Sequence, residues 1–233
     1  MVPELARADR KSFSYTYEYA TLPEGQTELE IWHTEARETW KSNTAEAFEE
    51  KLEIEHGITD HWDMSMYTVL AESTDEAFHL DAVRFESRYR FADRGELPVD
   101  CVGYLEVAKD FGTSLYEIEG KGIFARDFDK VTVAGNVIGE VKLGNNVATT
   151  ELEIGWAAGA TYEVTPKVRL GVETWGGHEE AGTRWAVGPA LSLAPSGKFW
   201  LVATAGFGVA ATYGTDDFAG DAFSGRIIMG LEM

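Results

Sequence analysis

The stretch FEEKLEIEHGITDHWDMSMYTVL, Phe48 to Leu70, decides how the rest of the chain reads. A charge stands at every second place, at Glu49, Lys51, Glu53 and Glu55, with Leu52 and Ile54 between them. After a short break the apolar set resumes as Trp62, Met64 and Met66. A strand sends successive side chains to opposite faces, so a period of two means one oily face and one charged face. A short helix over SNTAEAFEEKLEIEHG, capped by Ser42, is the competing reading. Strict alternation favours the strand.

The same period recurs along the chain. Thirteen alternating segments stand out, roughly 12–20, 27–38, 47–57, 61–72, 77–91, 100–110, 115–126, 130–143, 149–163, 167–176, 183–194, 198–213 and 222–233. Their connectors form two sets. LPEGQ, GITDHW, ADRGELPVD, RDFDK, EVTPK and APSGK are one; ETWKSNTAE, AESTDEA, DFGTS, LGNNVAT, GGHEEAGT and YGTDDFAGDA are the other. The two sets alternate in order, as an up-and-down meander requires, and no linker divides the chain. The expected organisation is an N-terminal segment over 1–25 and a barrel over 26–233.

Bulk properties narrow the function. The chain has 233 residues, 12% aromatic, with a net charge of −20. Nucleic acid needs a basic footprint, so it is excluded as a partner. Simple docking to anionic lipid is disfavoured for the same reason. Cys101 is the lone cysteine, so no intramolecular disulfide forms and the thiol has no sign of reactivity. No apolar run approaches the roughly 20 residues of a membrane helix. MVPELARADRK has no hydrophobic h-region, so a signal peptide is either already removed or not used.

The faces can be assigned strand by strand. The charged face takes the acids Glu28, Glu30, Glu49, Glu53, Glu55, Glu86, Glu106, Glu117, Glu119, Glu140, Glu151, Glu153, Glu173 and Glu232. It also takes the bases Lys51, Arg84, Arg88, Arg90, Lys121, Lys142, Arg169, Arg184 and Arg226. Nine bases against fourteen acids leave an acidic excess. In a soluble barrel the oily face turns inward; in a membrane barrel it meets lipid and the charges line the lumen. The membrane closure fits better. Trp62, Tyr89, Tyr116, Tyr162 and Trp185 sit near the ends of oily rows, as a girdle would. The oily rows also hold Gly103, Gly120, Gly122, Gly135, Gly139, Ala158 and Ala160, too small to fill a wide soluble interior. Segments of about 9–12 residues match a tilted membrane strand.

On these residues the chain resembles the porin-like barrels of Gram-negative outer membranes. TLPEGQTELEIW resembles the opening of many such barrels, and EHGITDHWDMSMY and YEVTPKVRLGVE resemble their short periplasmic hairpins. The resemblance covers about Phe13 to Met233. It implies an antiparallel transmembrane barrel in the bacterial outer membrane, with lipid as its surroundings. The chain departs from the pattern in ending IIMGLEM, where such barrels usually end in Phe or Trp. With LPEGQ, GITDHW and VTPK periplasmic, twelve strands remain from Thr27 on, an even number as bacterial barrels require. Residues 12–20, with Phe13, Tyr15, Tyr17 and Tyr19 opposite Ser14, Thr16 and Glu18, are left over. They form a thirteenth strand, a segment folded into the lumen, or a strand beside the seam.

The expected function is a narrow, cation-preferring channel for ions or small polar solutes. The alternatives are a non-conducting barrel that anchors a periplasmic or surface protein, and a soluble barrel around a hydrophobic ligand. Some twelve-stranded outer-membrane barrels are lipid hydrolases with an outward His–Ser pair. Here His33, His56, His61, His79 and His178 find no evident serine partner, and no GxSxG motif occurs. Asp216, Asp217 and Asp221 share a loop, but their spacing is not that of a calcium-binding EF-hand. His178 to Glu180 reads as a solvated turn. No catalytic, metal or cofactor site is expected.

Overall fold

Alternating strands leave unpaired edges unless the sheet closes on itself, and closure alone removes them. The computed structural model describes residues 10–37, 47–73, 76–111, 116–144, 151–179, 182–212 and 222–233. Ser42, Asp216, Asp217, Asp221 and Glu180 lie outside them. The described strands are β1 (Thr27–Arg37), β2 (Ala47–Thr59), β3 (Trp62–Ser73), β4 (His79–Arg90), β5 (Asp100–Asp110), β6 (Tyr116–Phe128), β7 (Val131–Leu143), β8 (Glu151–Thr165), β9 (Val168–Glu179), β10 (Gly182–Leu193), β11 (Phe199–Thr212) and β12 (Phe223–Glu232). Each pairs antiparallel with its neighbours, and β1 pairs with β12 from Glu28–Glu232 to Arg37–Phe223, closing a barrel. The fold is the expected twelve-stranded all-β antiparallel barrel.

Which face meets which solvent follows from burial. Leu52, Ile54, Met64, Met66, Phe85, Leu105, Val137 and Leu170 stand exposed on the outer surface, and they are among thirty-six large apolar side chains that are exposed in the described residues. Holding one such side chain in water rather than an apolar medium costs about 1.5–3 kcal/mol, so a continuous belt of them calls for lipid. On the inner face Glu28, Glu30, Glu53, Glu55, Asp63, Glu86, Arg88, Glu106 and Glu173 are buried. A soluble barrel around an oily ligand would have the reverse arrangement.

At one rim the connections are short: β2 and β3 are joined through 60–61, β6 and β7 through 129–130, and β8 and β9 through 166–167. We call this the short-turn rim. Residue 129 is an Asp in the left-handed region (φ 56°), a conformation its short polar side chain tolerates. The chain enters β1 at the same rim. There Gly25 N–H donates to the Gly57 carbonyl at 2.9 Å, and Gly57 N–H to the Gln26 carbonyl at 3.0 Å. A Cβ on Gly57 would lie 2.0 Å from the Pro23 carbonyl oxygen and 2.5 Å from that of Leu22. Gly57→Val is therefore expected to lower the melting point of the folded gel band by forcing apart the chain crossing, at about 1–3 kcal/mol. An unchanged melting point would mean that residues 22–23 do not pass there.

Candidate functional site: a charged lumen with a segment across it

Residues 10–22 lie inside the barrel. Both ends of this segment are at the short-turn rim. Arg10 Nη1 donates to the Pro166 carbonyl at 3.1 Å, and Leu22 N–H to Asp63 Oδ2 at 2.7 Å. Between them the chain rises into the lumen and returns. At the top, one carboxylate holds three successive amides: Ser14, Tyr15 and Thr16 N–H each donate to Glu173 at 2.8 Å. Thr204 Oγ1 donates to the same group. Asn136 reads the next residue as a strand would: its Oδ1 accepts from Tyr17 N–H at 2.7 Å and its Nδ2 donates to the Tyr17 carbonyl at 2.9 Å. Ser192 Oγ donates to the Lys11 carbonyl at 2.7 Å, and Lys11 Nζ pairs with Glu30 at 2.6 Å.

Rings complete the fit. Tyr15 stacks on Trp175 with centroids 3.7 Å apart, and its hydroxyl meets Ser224 Oγ at 2.6 Å. Phe13 lies over Gly159, where a Cβ would come within 2.5 Å of the ring. Phe13 and Tyr19 pack with Val102, Tyr104, Ile123, Ala125 and Ala134, so part of the inner wall is apolar where the segment covers it. Lys121 Nζ sits 4.1 Å above Tyr17 and 4.0 Å above Tyr104, a cation held by two ring faces.

The segment divides the lumen into two cavities. One, of about 840 Å³, opens away from the short turns and is lined by Tyr15, Tyr17, Trp175, Lys51, Arg84, Arg226 and several acids. The other, of about 890 Å³, opens at the short-turn rim and is lined by Lys11, Glu28, Glu55, Arg88, Arg169 and Trp200 among others. Tyr17 borders both.

Register reveals an order that alternation within a strand cannot. Directly opposite partners on successive strands run Glu28, Glu55, Ser65, Glu86, Glu106, Glu119, Glu140, Glu153. Glu232 precedes Glu28 across the closing pair. Neighbouring strands are about 4.8 Å apart, so this is a lateral row of carboxylates, broken only at Ser65. Barrel strands tilt, so a row perpendicular to them climbs the wall. It starts near the beginning of β1 at the short-turn rim and ends near the beginning of β8 at the far rim. Glu28 and Glu55 line the short-turn cavity; Glu106, Glu119, Glu140 and Glu153 line the far one; Glu86 is buried between.

Bases from the flanking rows brace it. Arg88 pairs with Glu55, with Asp63 at 2.7 Å and with Glu86 at 3.3 Å. Arg84 bridges Glu106 at 2.6 Å and Glu117 at 2.9 Å. Lys121 meets Glu119 at 2.8 Å, and Lys142 meets Glu153 at 2.5 Å and Glu140 at 3.7 Å. Lys51 pairs with Glu49 at 3.4 Å and Arg169 with Glu163 at 3.4 Å. Arg226 donates to Thr34 Oγ1 at 3.0 Å and stands over Tyr15. Arg90 turns to the short-turn rim, donating to the Asp60 carbonyl at 2.8 Å. Arg184 lines the far cavity, apart from these networks. The side chain of Glu151 lies outside the described residues.

Asp63 and the inward rings Trp32, Tyr67, Tyr104, Trp175 and Trp200 did not figure among the expected lumen groups. The signal for Asp63 and Tyr67 was present: with Trp62, Met64 and Met66 outward, the odd positions must face in. Cys101 is half-buried, with its Sγ 3.3 Å from the Val99 carbonyl. His56 Nδ1 lies 2.8 Å from Thr27 Oγ1, and His178 Nδ1 lies 2.9 Å from Thr183 Oγ1. Among the described residues, no three His, Cys, Asp or Glu side chains converge as a metal ion requires.

A closed twelve-stranded barrel with an apolar outer belt and an ion-paired lumen is the fold of outer-membrane channels. Solved structures match it over nearly the whole chain. An outer-membrane channel from Pseudomonas putida F1 aligns with a TM-score of 0.73 at 10% identity, over 95% of this chain and 100% of that one. The KdgM porin, solved in complex with disordered oligogalacturonate, aligns at 0.62 and 8% identity over 88% and 99%. The NanC porin aligns at 0.59 and 10% identity over 88% and 98%. At such identities the likeness is one of fold. No protein-family model matches the chain, and no curated protein matches it in sequence.

Proposed function

We propose that the chain is a channel for passive diffusion across the bacterial outer membrane, narrow and selective for cations. The short turns face the periplasm and the N-terminal segment enters from that side. The observation that carries this reading is the carboxylate row, which joins the two cavities along the wall. A permeating cation passes from one acid to the next, while braced bases keep each well shallow enough to leave. Residues 10–22 stand in the path, which supports small ions and small polar solutes rather than bulky ones.

Reconstitution into planar bilayers tests it. The expected result is discrete conductance steps much smaller than those of wide sixteen-stranded porins. Complete silence of folded, inserted protein would contradict the channel and favour a barrel that serves only as an anchor.

A further inference from the structure

The lumen segment crosses the barrel at one residue. Tyr15 lines the far cavity, Thr16 lines the short-turn cavity, and Tyr17 alone among the described residues lines both. We propose that the Tyr17 ring is the gate of the passage, the side chain that sets how bulky a cation can move from one cavity to the other; the inference rests on the channel reading above. Tyr17 packs against two apolar clusters. One is built on Val102, Tyr104 and Ile123 of β5 and β6, the other on Trp32, Trp200 and Ile228 of β1, β11 and β12. In the closed strand order these two sets of strands stand opposite each other across the barrel. Among the described residues no other side chain joins both clusters, so the span from wall to wall is closed by Tyr17.

The ring is also held in place. Asn136 on β7 fixes its backbone twice, accepting from the Tyr17 N–H at 2.7 Å and donating to the Tyr17 carbonyl at 2.9 Å. Lys121 Nζ, paired with Glu119 at 2.8 Å, sits 4.1 Å from the Tyr17 ring centroid. The Tyr104 ring meets Tyr17 edge-on, with centroids 5.2 Å apart. A ring clamped by a cation, a second ring and its own anchored backbone keeps its rotamer, so the opening beside it has a fixed size.

The chemistry of the ring suits the ions on either side. An aromatic face attracts a cation, and Lys121 already uses the faces of Tyr17 and Tyr104 in that way. Carboxylates stand on both sides of the ring, Glu28 and Glu55 in the short-turn cavity and Glu106 and Glu119 in the far one. The gate therefore favours the same sign of charge as the walls it separates, and it discriminates among cations by bulk. Removing the ring joins cavities of about 890 and 840 Å³, while Glu173 and Asn136 keep the segment seated.

Recording from the full chain in planar bilayers, with potassium on one side and tetraethylammonium on the other, tests this. Tyr17→Ala is expected to raise the permeability of tetraethylammonium relative to potassium by about fivefold or more, because the opening widens. Tyr17→Phe keeps the ring and is expected to keep the parent ratio. Tyr19→Ala also takes a ring from the segment, but from a side chain that lines the short-turn cavity and not the far one, and is expected to leave the ratio unchanged. Should Tyr17→Ala lose the heat-modifiable gel shift, Tyr17→Leu carries the same expectation. A conducting parent whose ratio is unchanged in the folded Tyr17→Ala or Tyr17→Leu barrel would overturn the gate and leave the channel standing. An equal rise in Tyr17→Phe or Tyr19→Ala would also overturn it, since a loosened segment would then be the cause. A silent parent with a conducting Tyr17→Ala would uphold the gate and overturn the open channel. Silence of both folded barrels would overturn both.

Discussion

Glu173→Ala raises the single-channel conductance several-fold. Glu173 is the main fastening at the top of the lumen segment, accepting the Ser14, Tyr15 and Thr16 amides at 2.8 Å each. Hydrogen bonds to a charged partner contribute roughly 1.5–3 kcal/mol each. Allowing for non-additivity, their joint loss weakens the seated segment by about 4 kcal/mol, near three orders of magnitude in occupancy. Asn136, the Tyr15–Trp175 stack and Asp63 remain, but the chain between 13 and 17 loses its most heavily used anchor. Both ends of the segment are at the short-turn rim, so it can withdraw without threading the barrel. Closure through β1 and β12 is made by strand pairing, so the wall survives that withdrawal. Single-channel recording checks this. Unchanged conductance would show that residues 10–22 do not limit the passage.

The second large effect is on stability. Arg88 is buried and serves Glu55, Asp63 and Glu86 at once. Arg88→Met keeps most of the bulk but leaves three buried carboxylates without their shared cation. Breaking a buried pair from one side costs about 3–5 kcal/mol. The barrel is expected to lose its heat-modifiable band well below the melting point of the parent. A melting point within two or three degrees of the parent would mean that water already solvates those acids. Asp63 holds Leu22 as well as Arg88, so the same variant also loosens the entry of the lumen segment.

The faces of the strands were legible because the side-chain period of a strand is fixed by geometry. Glu49, Lys51, Glu53 and Glu55 had to share a face, and Leu52 and Ile54 had to take the other. The strand count followed from the connectors. Register was not legible. That Glu55 faces Ser65, and through it Glu86 and Glu106, depends on bulges near Gly57 and Val69, which no local pattern announces. The carboxylate row therefore emerges only when the strands are paired. Residues 13–19 pose a different problem. Their alternation says that two environments differ, and a strand at a seam or a segment inside the barrel satisfies that equally. What places them in the lumen is long-range: Glu173 and Gly159, more than a hundred residues away, supply the acceptor and the space.

Ion selectivity tests the acidic lumen most directly. With the full chain in a planar bilayer under a tenfold potassium chloride gradient, the zero-current potential reports which ion passes. The carboxylate row predicts a potential of the sign that marks potassium as the more permeant ion, diminished in Glu106→Gln. A potential of the opposite sign, marking chloride as the carrier, would contradict the acidic lumen as the conduction path.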